Sequence, residues 1–120
     1  MKKKYDQVYQ LKITLKGTKP PIWRRIQVPE SYTFWDLHVA IQDAMGWEDY
    51  HLHEFVFTLP IMNIKVRIGI PMEDDFDETI LPDWDQKIAD YFSSETPKAE
   101  YTYDFGDGWQ HDIILEKILP

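Results

Sequence analysis

Apolar and polar residues alternate regularly in the first part of the chain. Every second residue between Val8 and Lys16 is apolar, which is typical of a β-strand with one buried face. A turn sequence with one glycine and two prolines follows. A second alternating stretch then runs from Trp23 to Val28. The two stretches predict an antiparallel hairpin.

A helix is predicted over residues 34–45, where apolar side chains recur at helical spacing. Thr33 can cap the first turn, with Asp36 in the place of the acidic residue of a capping box. Gly46 follows the last turn, where a residue in the left-handed conformation commonly ends a helix. We expect His38 to lie at the surface or the edge of this helix.

The rest of the chain predicts four more strands and a second helix. Strands at about 53–59 and 64–70 precede an acidic stretch at 73–85, which predicts an exposed loop. A second helix is expected over about 84–92, entered through a proline near its first turn. Two further strands then form a hairpin around the turn Gly106-Asp107-Gly108.

The predicted order of elements is β-β-α-β-β-α-β-β, which indicates an α+β fold with a mainly antiparallel sheet covered by helices. A length of 120 residues, of which 43% are hydrophobic, suits one domain spanning 1–120. The chain has no cysteine, so we expect a cytoplasmic protein without disulfides. No apolar run approaches the ~20 residues that a membrane-spanning helix needs, so no membrane association is expected.

The net charge of −8 is unevenly distributed. Residues 1–25 hold eight of the thirteen basic residues and one acid, whereas the rest of the chain holds five bases and twenty acids. The overall acidity argues against general affinity for nucleic acids, and we expect the opposite charges to cancel across the fold. Nucleic-acid binding through the basic N-terminal hairpin remains an alternative, and its residues would be Lys2–Lys4, Lys12, Lys16, Arg24 and Arg25.

Polar side chains are concentrated among aromatic residues in two segments, 51–55 and 103–112. If these segments are neighbours in the fold, their side chains form one binding site for a ligand. The residues expected to contact that ligand are Trp47, His51, His53, Asp104, Asp107, Trp109 and His111.

Some of these side chains could also hold a divalent metal ion; no other cofactor is expected. Residues two apart in an extended segment point to the same side, so His51 and His53 could converge on one ion. Asp104 and His111 would complete the ligand set, and imidazole with carboxylate suits zinc, iron or manganese. The competing interpretation is that these residues only shape a hairpin turn, because glycine and aspartate at 106–108 are what a tight turn requires.

Four stretches resemble the plasmid pRiA-type Orf-three-like family. They lie at 21–26, 34–47, 51–55 and 101–111, and the most specific string is Tyr103-Asp104-Phe105-Gly106-Asp107 with Trp109 and His111 after it. The resemblance extends from about residue 6 to residue 118 and implies a roll-like α+β domain with no established activity. Some members are labelled mobile-element "TnpR family" proteins, which implies a link to mobile elements. A serine recombinase, however, needs a nucleophilic serine among arginines, and nothing in this sequence matches that pattern.

These observations predict a small, non-enzymatic binding module with a protein partner. The alternative is a metal-dependent hydrolase that uses the three histidines of the predicted site together with Asp104 or Asp107. In that mechanism the metal would lower the pKa of a bound water toward ~7, and one carboxylate would act as the base.

Overall fold

The computed structural model describes residues 7–49, 51–71 and 80–120. Those residues form seven strands, one α-helix and two single 3-10 turns, at Ile61–Asn63 and Ile88–Asp90. The larger elements are β1 (Val8–Leu15), β2 (Ile22–Pro29), α1 (Phe34–Met45), β3 (His53–Leu59), β4 (Ile64–Gly69), β5 (Ile80–Pro82), β6 (Lys98–Tyr103) and β7 (Trp109–Leu119).

The strands form one mixed sheet in the order β2-β1-β7-β6-β3-β4-β5. All neighbouring pairs are antiparallel except β4 and β5, which are parallel. The C-terminal hairpin of β6 and β7 is inserted between β1 and β3. Because His53 pairs with Tyr103, and Tyr103 with Trp109, the turn of this hairpin lies beside the start of β3.

Helix α1 covers one face of the sheet. It begins and ends where the capping residues of the sequence predicted. The Thr33 hydroxyl accepts a hydrogen bond from Asp36 N at 3.2 Å, and the Asp36 carboxylate accepts one from Thr33 N at 3.0 Å. Gly46 ends the helix with φ 77°. The helix buries Phe34 against Phe55, with ring centroids 5.1 Å apart. The predicted helix 34–45 and its capping box are therefore confirmed.

The predicted second helix at 84–92 is wrong, since the region forms only the 3-10 turn Ile88–Asp90. Its backbone groups bond to other elements: Asp83 O accepts from Trp35 N at 3.1 Å, and Ile88 N donates to Tyr32 O at 3.0 Å. Apolar side chains still reach the core from this segment, but from a turn.

The acidic stretch is not wholly a loop. Its residues 80–82 form β5, while residues 73–79 lie outside the described part of the chain. The observed order is thus β-β-α-β-β-β-β-β, a sheet-rich α+β fold.

The basic residues of the N-terminal hairpin are partly neutralised by acids of β7. Arg25 binds Glu116 through two hydrogen bonds of 2.6 and 2.9 Å, and Lys16 lies 3.4 Å from Asp112. Residues 2–4 lie outside the described segments. No helix within those segments is long and apolar enough to cross a membrane.

Candidate functional site

An open cleft of ≈ 360 Å³ lies where the β6–β7 turn meets the loop after α1. We call it the aromatic cleft. Its lining comes from three separate segments and consists of Gly46, Trp47, Glu48, His51, Tyr103, Asp104, Asp107 and Trp109. Five of the seven predicted ligand-contacting residues therefore line one surface, and they are Trp47, His51, Asp104, Asp107 and Trp109.

The hairpin turn positions the polar side of the cleft. Asp104 adopts the left-handed conformation with φ 61°, and its amide donates to Leu52 O at 2.9 Å. One oxygen of the Asp104 carboxylate accepts from Gly106 N at 3.2 Å, while the other lies 3.6 Å from His51 Nε2. The same aspartate therefore shapes the turn and lines the cleft.

Aromatic rings form the other side of the cleft. Trp47 lies between Tyr103 and Trp109, with ring centroids 5.7 and 5.5 Å away. Tyr103 is buried, Trp47 is half-buried and Trp109 is exposed. The cleft thus presents an aromatic surface next to carboxylates.

His111 supports Trp47 from behind and does not line the cleft. The indole N–H of Trp47 donates to His111 Nε2 at 3.4 Å, and His111 Nδ1–H donates to the carbonyl of Tyr101 at 3.2 Å. Both ring nitrogens of the neutral imidazole therefore have a hydrogen-bond partner. Burial lowers the pKa of His111. We find His111 fully buried, so it orients a cleft residue instead of contacting a ligand directly.

His53 is also separated from the cleft. It points toward α1, is 2% exposed and binds Asp83 with 2.5 Å between Nε2 and Oδ2. His51, by contrast, is exposed at the cleft. The two histidines therefore do not converge. Within the described residues no three His, Cys, Asp or Glu side chains are arranged to hold a metal ion.

The expectation that His38 lies at the surface or the edge of α1 is wrong. His38 is fully buried, and its ring stacks on that of His53 with centroids 3.5 Å apart. The reason is helical spacing: positions 34, 37, 38, 41, 42 and 45 form one continuous stripe that faces the sheet. His38 falls within that stripe.

A closed ring of hydrogen bonds joins His38 to the loop of the cleft. Gln42 Nε2 donates to the Tyr101 hydroxyl at 3.0 Å, which in turn lies 2.7 Å from His38 Nδ1. His38 Nε2 lies 2.6 Å from Asp49 Oδ1, and Asp49 N donates to Gln42 Oε1 at 2.8 Å. Every group is satisfied if His38 is neutral, with its proton on Nε2 and the Tyr101 hydroxyl donating to Nδ1.

Burial dominates the electrostatics of this ring. Burial, and next the neighbouring His53, lower the pKa of His38, although Asp49 opposes the shift. Burial likewise raises the pKa of Tyr101. Both side chains are therefore held in their neutral forms. Since Asp49 lies two residues after Trp47, the ring fixes the cleft loop to the core.

Four residues that bond to the buried His38 or His53, directly or through the ring, were not predicted from the sequence as parts of a site. They are Gln42, Asp49, Asp83 and Tyr101. Gln42 shares the buried helical stripe of His38, so its spacing carried a usable signal. No local pattern in the sequence indicated that Asp83 pairs with His53, because that contact depends on β5 lying beside β4. Among the described residues, His53 Nδ1 and Asp83 Oδ1 are buried without a hydrogen-bond partner.

The model of a family described as "Plasmid pRiA4b ORF-3-like protein" matches residues 7–120. This chain belongs to that family. The resemblance carried by the hairpin string is thus confirmed, and the string now has a structural meaning, since its residues build the turn, one side of the aromatic cleft and the support behind it.

Two relatives extend the comparison. The chain is 34% identical over 113 residues to "Uncharacterized protein y4hQ" of Sinorhizobium fredii, covering 94% of this chain and 55% of that protein. It is similar to the crystal structure of a protein of unknown function, MM3350, from Methanosarcina mazei Go1. That match has a TM-score of 0.86 and 51% identity, and covers 97% of this chain and 62% of the other. The chain therefore spans less than two thirds of either relative.

Proposed function

We propose that this chain is a small, non-enzymatic binding module whose aromatic cleft contacts a partner protein. The observation that carries the proposal is the convergence of residues 46–48, His51 and segment 103–109 on one open cleft of ≈ 360 Å³. This volume falls within the range of ordinary ligand sites, about 300–1,000 Å³. Exposed tryptophan is enriched at the centres of protein interfaces.

The hydrogen bonds that position the cleft support a binding role. Trp47 is held by His111 from behind, and Asp49 is held by His38 and Gln42. Side chains that are already ordered lose little conformational entropy when a partner binds. A preformed cleft therefore favours recognition without rearrangement.

The two alternatives receive less support. The metal-dependent hydrolase needs His53 and His111 beside His51, yet both lie buried behind the cleft. Nucleic-acid binding needs free basic residues on the N-terminal hairpin, yet Arg25 and Lys16 are paired with acids of β7. The link to mobile elements and the cytoplasmic location stay predictions.

Site-directed photo-crosslinking tests the proposal. p-Benzoylphenylalanine is placed at position 107, in the cleft, and in a matched chain at position 95, which is exposed beyond the opposite end of β6. We expect a defined partner protein to crosslink in native cells from position 107 only. Trp109→Ala in the same chain should remove the crosslink, and the purified partner should bind wild type at least about 10-fold more tightly than Trp109→Ala.

Equal crosslinking from the two positions, or a crosslink that survives Trp109→Ala, contradicts the proposal. Circular dichroism of the Trp109→Ala chain is the control for folding, because Trp109 is an exposed side chain whose loss should leave the fold intact.

A further inference from the structure

We infer that the partner segment seated in the aromatic cleft presents a lysine or arginine side chain, with its cation over the indole rings of the cleft and close to Glu48 and Asp107. The inference rests on the proposed function, since it specifies the chemistry of the partner at the same site.

The charge of the lining is the first reason. Three of the eight lining residues are carboxylates, namely Glu48, Asp104 and Asp107, and none is lysine or arginine. Asp104 is engaged by backbone amides of the turn and by His51. Glu48 and Asp107 are exposed, and within the described residues their side chains make no hydrogen bond or ion pair.

Two acids on β7, by contrast, have basic partners within the chain. Glu116 on β7 is bound by Arg25, and Asp112 lies 3.4 and 3.6 Å from the ammonium groups of Lys16 and Lys98. These two acids of β7 are thus neutralised within the chain, whereas Glu48 and Asp107 lie beside the indole rings of the cleft without a cation of their own.

The aromatic surface is the second, independent reason. Indole faces attract ammonium and guanidinium groups, because the ring quadrupole is negative at the face. This chain already contains such a contact at Trp23, where Lys12 lies 4.7 Å and Arg25 5.2 Å from the ring centroid. Trp47 and Trp109 have carboxylates beside them and no lysine or arginine in the lining of the cleft.

These features favour a basic peptide segment over other occupants. The phosphates of a nucleic acid would be repelled by the cleft carboxylates. The long aliphatic part of a lysine or arginine side chain can also cover indole while its charged end reaches a carboxylate at the rim.

The test uses the full chain and short acetylated Gly-Xaa-Gly amides with Xaa as lysine, arginine, norleucine or glutamate. The indole N–H signals of the five tryptophans are followed by NMR. We expect the lysine and arginine peptides to shift the signals of Trp47 and Trp109 while leaving Trp84 unchanged. Norleucine, which matches lysine in its aliphatic part but carries no charge, should bind at least about 3-fold more weakly.

Charge variants complete the design. Asp107→Asn and Glu48→Gln should each weaken the lysine peptide by about 2- to 5-fold, and added salt should weaken it further. Glu95→Gln is the matched control, an exposed acid outside the cleft, and should leave the affinity unchanged.

Equal binding of the norleucine and lysine peptides, or no loss in the Glu48→Gln, Asp107→Asn double variant, would overturn the inference. So would peptides that shift neither Trp47 nor Trp109. A partner that crosslinks at position 107 through a segment without lysine or arginine would overturn it as well, while leaving the proposed function standing.

Discussion

The imidazole rings of His38 and His53 stack face to face in the core, with centroids 3.5 Å apart and ring planes inclined by 10°. Each ring binds a different carboxylate through Nε2, His38 that of Asp49 and His53 that of Asp83. After burial, the neighbouring His53 is the next cause that lowers the pKa of His38.

The first prediction concerns pH. Burial lowers the pKa of both His38 and His111 in the folded protein, whereas the unfolded chain titrates near 6.5. Below pH ~6.5 the unfolded state binds more protons than the folded state, so the free energy of unfolding should fall as the pH decreases from 7 to 5. Each histidine can contribute a slope of at most about 1.4 kcal/mol per pH unit.

Urea denaturation at a series of pH values measures this slope. His111→Gln should flatten it, because it removes one of the two buried rings whose pKa is lowered. The prediction fails if His111→Gln shows the same slope as wild type.

The second prediction concerns the hydrogen-bond ring. Tyr101→Phe removes the hydroxyl that bonds His38 and Gln42, and so leaves two buried polar groups without this partner. We expect the free energy of unfolding to decrease by about 1–3 kcal/mol. Tyr91→Phe is the matched control, since its hydroxyl makes one bond of 2.7 Å to Gln86 and the residue is only half-buried. Equal losses in the two variants, measured by urea denaturation, would contradict this account.

The third prediction concerns the ion pair between β2 and β7. Hydrogen bonds from Arg25 hold the pKa of Glu116 at about 2, together with a hydrogen bond from Gln10 and the charge of Arg25, while desolvation opposes the shift. Arg25→Gln should raise that pKa toward its ordinary value of 4.5. Titration of the side-chain carboxyl signal by NMR measures the change. Lys117→Gln, which alters a neighbouring exposed cation, should leave the pKa near its wild-type value.

Local pattern was sufficient for most of the fold. Alternation predicted the hairpin of β1 and β2, and the capping box with Gly46 set the ends of α1, because these signals depend on residues close in sequence. The prediction of a second helix was wrong for the opposite reason. Backbone groups at 83–88 bond to Gly69, Trp35 and Tyr32, and such distant partners leave no mark on the local pattern.

The candidate site was predictable in outline only. The polar segments 51–55 and 103–109 do meet, because β3 pairs with β6 at His53 and Tyr103. Which residues face outward depends on the pleat of each strand and on what packs behind it. Alternation places Trp109 on the same face as His111, so position along the strand separates them: Trp109 is the first residue of β7 and His51 precedes β3, and both are exposed, whereas His53 and His111 are buried.

The ring of hydrogen bonds through Gln42, Tyr101, His38 and Asp49 makes a surface loop part of the cooperative folding unit. Asp49 bonds to His38 and Gln42 of α1, and both of these side chains are buried, so detaching Asp49 would leave two polar groups of the core without these partners. Loops of this kind ordinarily open independently at little cost in free energy. Here, opening would leave His38 Nε2 and Gln42 Oε1 buried without these partners, at a cost of about 1–3 kcal/mol for each, so the loop that carries Trp47 is harder to open than its place at the surface suggests.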